Sequence, residues 1–243
     1  MDIRGKKVLV TGAAKRVGRA IALAFARKGC PILLHYNTSR ADADKTAAEI
    51  KALGVDCWPL QADLSKTASL AGMLSEITKR RLDVDVLVNS ASLFYKTPFK
   101  TVTEEDFDKM IAANLKAPFL LSKEIGNRMV EKGGGKIINI ADWSGFRPYK
   151  DYAPYCASKG GLLTLTRSLA RDLAPQVTAN AIAPGPVMMP EDFSDKEIES
   201  IAKLTALGRV GSPEDVAHAA VFLAESDFIN GTVLVVDGGR SIV

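Results

Sequence analysis

Val8-Leu9-Val10-Thr11-Gly12-Ala13-Ala14-Lys15-Arg16-Val17-Gly18-Arg19 is the stretch that decides the fold. A short apolar run ends in a threonine and a glycine, and a helical pattern follows at once. Val17, Ile21, Ala24, Phe25 and Lys28 form a one-sided apolar stripe with a polar end. Glycines at a strand-to-helix turn let the backbone approach a pyrophosphate, while the helix N-terminus supplies N–H groups and positive potential. Outward from this turn the same alternation repeats. Apolar runs at 8–10, 32–35, 56–60, 84–89, 136–140, 177–182 and 232–236 read as strands. Helical patterns at 17–28, 41–53, 64–78, 104–130, 152–173 and 213–224 separate them. This predicts an α/β fold: one doubly wound Rossmann domain over 1–243, its seven-stranded parallel sheet flanked by helices on both faces. Pro118, inside the fourth helix, predicts a local kink rather than an end, because apolar residues continue beyond it.

Composition narrows the function classes. Apolar residues at 47% and charged residues at 25% are ordinary globular values. The net charge of +4 is mild and its basic residues are scattered, with Lys79-Arg80-Arg81 the one cluster, so nothing argues for a nucleic-acid partner. No apolar run reaches membrane-spanning length and no signal-peptide pattern precedes the first strand. Cys30, Cys57 and Cys156 show neither a disulfide framework nor metal-ligand spacing, so no metal is expected. These features predict a cytoplasmic protein acting on a small molecule.

The candidate chemistry lies in 138–172. Tyr155 and Lys159 sit four apart in a helical run, so their side chains emerge on one face, one turn apart. A lysine ammonium beside a phenol favours the phenolate, lowering a pKa that starts near ~10. That would make Tyr155 an acid or base near neutral pH. Asp142 follows the strand ending at Ile140, thirteen residues before the tyrosine.

Thr11-Gly12-x-x-x-Arg16-x-Gly18, Asn89-Ser-Ala91, Asn114, Tyr155-x-x-x-Lys159, Pro184-Gly185 and Val235-Val-Asp-Gly-Gly239 occur in the order and spacing of the short-chain dehydrogenase/reductases, and the resemblance covers essentially the whole chain. It implies a nicotinamide cofactor, held by Gly12, Lys15, Arg16, Val17 and Gly18 at the first turn, Asp63-Leu64 at the adenine, and Asn89, Ser90 and Ala91 at the floor. Tyr155 and Lys159 would meet the ribose and nicotinamide, with Pro184, Gly185 and Val187 closing over it. The resemblance also implies a proton relay from Asn114 through water to Lys159, and a homo-tetramer.

Two departures from the family pattern matter most. Arg16 stands where a glycine is usual, and Asp142 stands where a serine is usual. Together with His35-Tyr36 and Asn89-Ser-Ala-Ser92-Leu-Phe94-Tyr-Lys-Thr-Pro98, they resemble the pteridine reductase branch. That likeness implies a substrate site of Arg16, Ser92, Phe94, Asp142 and Tyr155, with Phe94 stacking a pterin-like ring. Ser90 departs from the branch, where a second asparagine is common, and 187–205 is short for a substrate loop.

The end of the second strand reads His35-Tyr36-Asn37-Thr38-Ser39-Arg40, with no carboxylate until Asp42. An acid there would bond a ribose 2′-OH and repel a 2′-phosphate, whereas Tyr36, Asn37, Thr38, Ser39 and Arg40 leave room for donors to a phosphate. NADPH is the expected cofactor. The reading is therefore an NADPH-dependent reductase of a dihydropterin or dihydrofolate-like C=N bond. Its rival is a carbonyl reductase of the 3-oxoacyl thioester or small-ketone kind using Ser144, and a third reading is a catalytically retired NADPH-sensing protein.

Overall fold

Leu9 has to point away from Val8 and Val10, because side chains alternate across a strand. All three are nevertheless fully buried, so both faces of that strand are covered. The computed structural model, which describes residues 1–189 and 193–243, accounts for this with a central sheet. Strands β1 (Val8–Val10), β2 (Ile32–Tyr36), β3 (Cys57–Gln61), β4 (Val86–Asn89), β5 (Gly135–Ile140), β6 (Val177–Pro184) and β7 (Val233–Val236) form one seven-stranded sheet. Its order is β3-β2-β1-β4-β5-β6-β7, and every pairing is parallel. Helices α1 (Arg16–Arg27), α2 (Arg40–Ala52) and α8 (Pro213–Glu225) cover the face carrying Val8, Val10, Ile32 and Val86. Helices α3 (Thr67–Lys79), α5 (Ala117–Glu131) and α6 (Ala153–Asp172) cover the other, carrying Leu9, Leu33, Leu87 and Ile137. The largest buried side chains, Phe25 and Ile21 among them, each stabilise the fold by roughly 2 kcal/mol through burial.

The order of strands reverses between β1 and β4, and a crevice opens there at the strands' C-terminal ends. Thr11 Oγ1 ties the two exits together, accepting from the Ser90 and Ala91 N–H groups at 2.9 Å each.

Three details differ from the sequence expectations. The fourth helix is not continuous: α4 (Glu104–Ile111) passes through a π turn at Ala112–Lys116 into α5. Pro118 has no N–H to donate and its ring crowds the carbonyl four residues back, and the wider π turn, in which Ala117 N–H donates to the Ala112 carbonyl, absorbs both. The third helix begins at Thr67 rather than at 64, because Asp63 folds the intervening residues into a turn by accepting from Ser65 N–H and Oγ. Within 187–205, read as loop, lies α7 (Asp195–Ala202), announced by a capping box in which Ser194 and Glu197 bond each other's backbone N–H. Residues 190–192 of that loop lie outside the described residues. Among the described residues no helix is long and apolar enough to cross a membrane.

Candidate active site

The crevice is a cleft of about 1130 Å³, above the roughly 300–1,000 Å³ of a pocket for one drug-sized ligand. One end is the turn after β1. Gly12 has φ +67°, and a Cβ on it would lie 2.9 Å from Ala91 Cα; a Cβ on Gly18 would lie 2.2 Å from the Gly12 carbonyl. The backbone is packed too closely for side chains at either point. Arg16 is the surprise, holding φ +58° with a full side chain. A non-glycine residue there costs about 1 kcal/mol, and such strain gathers at functional sites.

His35 holds this turn from beneath, a role the sequence reading did not give it. Gly12 N–H donates to His35 Nδ1 at 3.0 Å, so Nδ1 carries the lone pair. Nε2 then carries the hydrogen and donates to the Ala62 carbonyl at 3.1 Å. Burial lowers the imidazole pKa to about 4, against a smaller opposing pull from Ala62.

The first turn of α1 has no side-chain cap and no acidic residue, so its N–H groups are free to meet an anion. Lys15, Arg16, Val17, Tyr36, Asn37, Thr38, Ser39, Asp63 and Leu64 all line this part of the cleft. The chemistry of this donor set fits a nicotinamide dinucleotide. Arg40 is a correction: it is not on the cleft wall, and its guanidinium lies 3.7 Å from Asp44 along its own helix. Asn89 is another. It is buried, and its Nδ2 donates to Asn139 Oδ1 at 2.8 Å and Ser122 Oγ at 3.3 Å, so it braces β4 under the floor. Ser90 and Ala91 do line the cleft.

At the other end Asp142, Tyr155, Lys159, Ser92 and Phe94 meet, with Pro184, Gly185 and Val187 above them. Tyr155 Oη donates to Asp142 Oδ2 at 2.9 Å, while Asp142 Oδ1 accepts from Ser144 N–H at 2.7 Å. Lys159 Nζ donates to the Ile140 carbonyl at 2.9 Å and lies 5.6 Å from the Tyr155 ring centre. Here the expectation of a lowered tyrosine pKa is overturned. Burial first, and the Asp142 charge second, hold the Tyr155 phenol well above its ordinary value. Lys159 is itself lowered to about 8 by burial, partly offset by Asp142. Tyr155 is thus kept protonated, as a proton donor requires.

Ser144 is also corrected. It is buried, its hydroxyl has no partner, and it is absent from the cleft wall, so Asp142 rather than Ser144 faces Tyr155. Asn114 sits in the π turn and clamps the Leu93 backbone from both sides, accepting at 2.8 Å and donating at 2.9 Å, and it reaches Ser158 Oγ at 3.2 Å. That side chain positions the loop carrying Phe94 and makes no hydrogen bond to Lys159. Phe94, about half exposed, stacks on Tyr152 at 4.7 Å and 12° and meets Tyr155 edge-on at 4.8 Å. Tyr149 and Tyr152, missed in sequence, line the cleft as well; their three-residue spacing with Tyr155 was a legible signal.

A cleft at a Rossmann switch point, with a tyrosine and lysine one helical turn apart on its wall, has counterparts among known proteins. The family profile described as Enoyl-(Acyl carrier protein) reductase matches residues 12–241. The chain belongs to the short-chain dehydrogenase/reductase family. Among curated relatives, the 3-oxoacyl-[acyl-carrier-protein] reductase FabG of Staphylococcus aureus is 34% identical over 239 residues, covering 96% of this chain and 97% of that one. The NAD-dependent glycerol dehydrogenase of Listeria innocua is 34% identical over 247 residues, covering 99% and 96%. A solved structure of a blue fluorescent protein from a metagenomic library, in complex with NADPH, superposes with TM-score 0.91 at 32% identity, covering 99% of this chain and 100% of that one. As a family member the chain is an oxidoreductase of the nicotinamide-binding kind. The relatives' names lie nearer the 3-oxoacyl rival than the pteridine branch.

Proposed function

We propose that this short-chain dehydrogenase/reductase is an NADPH-dependent reductase of a pterin-like C=N bond. The observation that carries the reading is the hydrogen bond from Tyr155 to Asp142. A carboxylate only accepts hydrogen bonds, and so does a ketone oxygen, so the two repel when brought face to face. A pterin ring presents N–H donors beside its C=N bond and satisfies the carboxylate. Reduced nicotinamide, when bound, supplies the hydride. Tyr155 donates the proton to the ring nitrogen, Asp142 holds the phenol in place, and Lys159, buried beneath, offsets the negative charge left on the pair. Phe94 and Tyr152 offer a flat aromatic wall, worth about 1 kcal/mol to a stacked ring beyond its burial.

The preference for NADPH rests on the absent carboxylate after β2 and on Asn37, Thr38 and Ser39 along the cleft. Assembly as a homo-tetramer remains part of the proposal and is checked by sedimentation.

One observation favours a second reading. The 3-oxoacyl reductases among the relatives point to a thioester ketone, which Tyr155 and Asp142 would have to serve without Ser144. NADPH oxidation by the purified protein, with 7,8-dihydrobiopterin and with an acetoacetyl thioester, separates the two. The pterin is expected to turn over faster, and Asp142→Ser to lose about 100-fold on it, as for a lost acid–base group. Faster turnover of the thioester, raised further by Asp142→Ser, would hand the site to the ketone reading.

A further inference from the structure

Beyond the acid–base pair, the substrate end of the cleft carries cations that proton transfer does not use. Lys96, Lys150 and Arg240 line it, and the Asp142 carboxylate on the same wall is already bonded to Tyr155 and to the Ser144 N–H. The backbone segments carrying Lys96 and Lys150 meet where Thr97 N–H donates to the Asp151 carbonyl at 2.7 Å.

Arg240 is held there by a dedicated piece of backbone. After β7 the chain turns through Gly238 and Gly239 at φ +63° and +78°. Buried Asp237 fastens the turn, its Oδ1 accepting from Gly239 N–H at 2.9 Å and its Oδ2 from Ser241 N–H at 2.7 Å. The same aspartate packs against the loop over the nicotinamide position, where a Cβ on Gly185 would lie 2.6 Å from Asp237 Cβ. The turn sets the Arg240 guanidinium 4.7 Å above the ring centre of Trp143, whose Nε1 donates to Tyr149 Oη. One face of the guanidinium is thereby covered by the indole, and among the described residues no carboxylate lies within ion-pair distance of it. A cation shielded on one side, facing a cleft and without an acidic partner among the described residues, is placed to meet an anion that enters the cleft.

We propose that Arg240 is a specificity-determining residue that binds an anionic group, carboxylate or phosphate, on the part of the substrate that does not react. The proposal rests on the reading of this cleft as the reductase site. The substrate is then a planar ring, or a ketone, joined to a negatively charged tail. Lys96 and Lys150 extend the positive wall along that tail.

Calorimetric binding to the enzyme loaded with NADP⁺ tests this, using folic acid, whose tail carries two carboxylates, and biopterin, whose tail carries none. Arg240→Leu keeps an aliphatic contact on Trp143 and is expected to weaken folic acid by about tenfold or more, the value of a lost charge-assisted hydrogen bond. Biopterin should move by less than about twofold, and Arg240→Lys should recover part of the loss. Equal changes for the two ligands, or no change for either, overturn the proposal. If neither pterin binds the unaltered enzyme, the pterin reading falls and the comparison passes to acetoacetyl-CoA, rich in phosphate, against the uncharged acetoacetyl-N-acetylcysteamine. A loss confined to the coenzyme A ester then supports the anion subsite and names phosphate as its source. Equal losses, or none, overturn it there too.

Discussion

Acid should loosen this protein through His35. The buried imidazole accepts Gly12 N–H and titrates at about 4, against 6.5 for an exposed histidine. Above pH ~6.5 the ring is neutral in both folded and unfolded chains, and its native hydrogen bonds count in full. As the pH falls from ~6.5 towards ~4 the unfolded chain takes up a proton that the folded chain refuses, so stability drops throughout that window and levels off below it. The gap from 6.5 to about 4, at about 1.4 kcal/mol per pH unit, amounts to ~3 kcal/mol, of which ~2 is gone by pH ~5. The assay is urea unfolding across that range for the parent and for His35→Gln, which has nothing to titrate there. Carboxylates contribute equally to both proteins and cancel in the difference. The parent should lose ~3 kcal/mol more than the variant on acidification, and its NADPH affinity should weaken in the same window, because a protonated Nδ1 can no longer accept from the glycine turn. Parallel stability curves for the two proteins would refute the reasoning.

Arg16→Gly should stabilise the chain by up to about 1 kcal/mol in urea unfolding, since it relieves the backbone at φ +58°, although added flexibility in the unfolded chain trims the gain. The same change should weaken NADPH and substrate binding, and unchanged affinities would remove Arg16 from the site. Tyr155→Phe should abolish most turnover while NADPH titration stays near normal, and near-normal rates would dismiss Tyr155 as the proton donor. Ser144→Ala, deleting a buried hydroxyl without a partner, should leave stability within about 1 kcal/mol of the parent or above it, with turnover close to normal. Asn37→Asp should narrow or reverse a preference for NADPH over NADH, measured as the ratio of the two affinities, by setting a carboxylate against the 2′-phosphate.

Much of this molecule was legible along the chain because its determinants are local. Strand-helix alternation, the glycine turn after β1 and the four-residue spacing of Tyr155 and Lys159 act over a few residues, and sequence order alone predicted a seven-stranded parallel sheet with its crevice at the strand ends. Even α7, read as loop, had its capping box written at Ser194 and Glu197. What only the tertiary structure decided were distances between residues far apart in sequence. Lys159 is one helical turn from Tyr155, yet burial first, and then the carboxylate of Asp142 brought in from the end of β5, hold the phenol protonated. Asp142 and Ser144 are two residues apart, and spacing favoured Asp142 with Ser144 as its rival; the turn leaving β5 directs one to the cleft and buries the other. Neither His35 beneath Gly12 nor Arg240 above Trp143 could be paired from spacing. Coulombic and hydrogen-bond energies depend on separation in space and on burial, and only the packed sheet and its loops determine those.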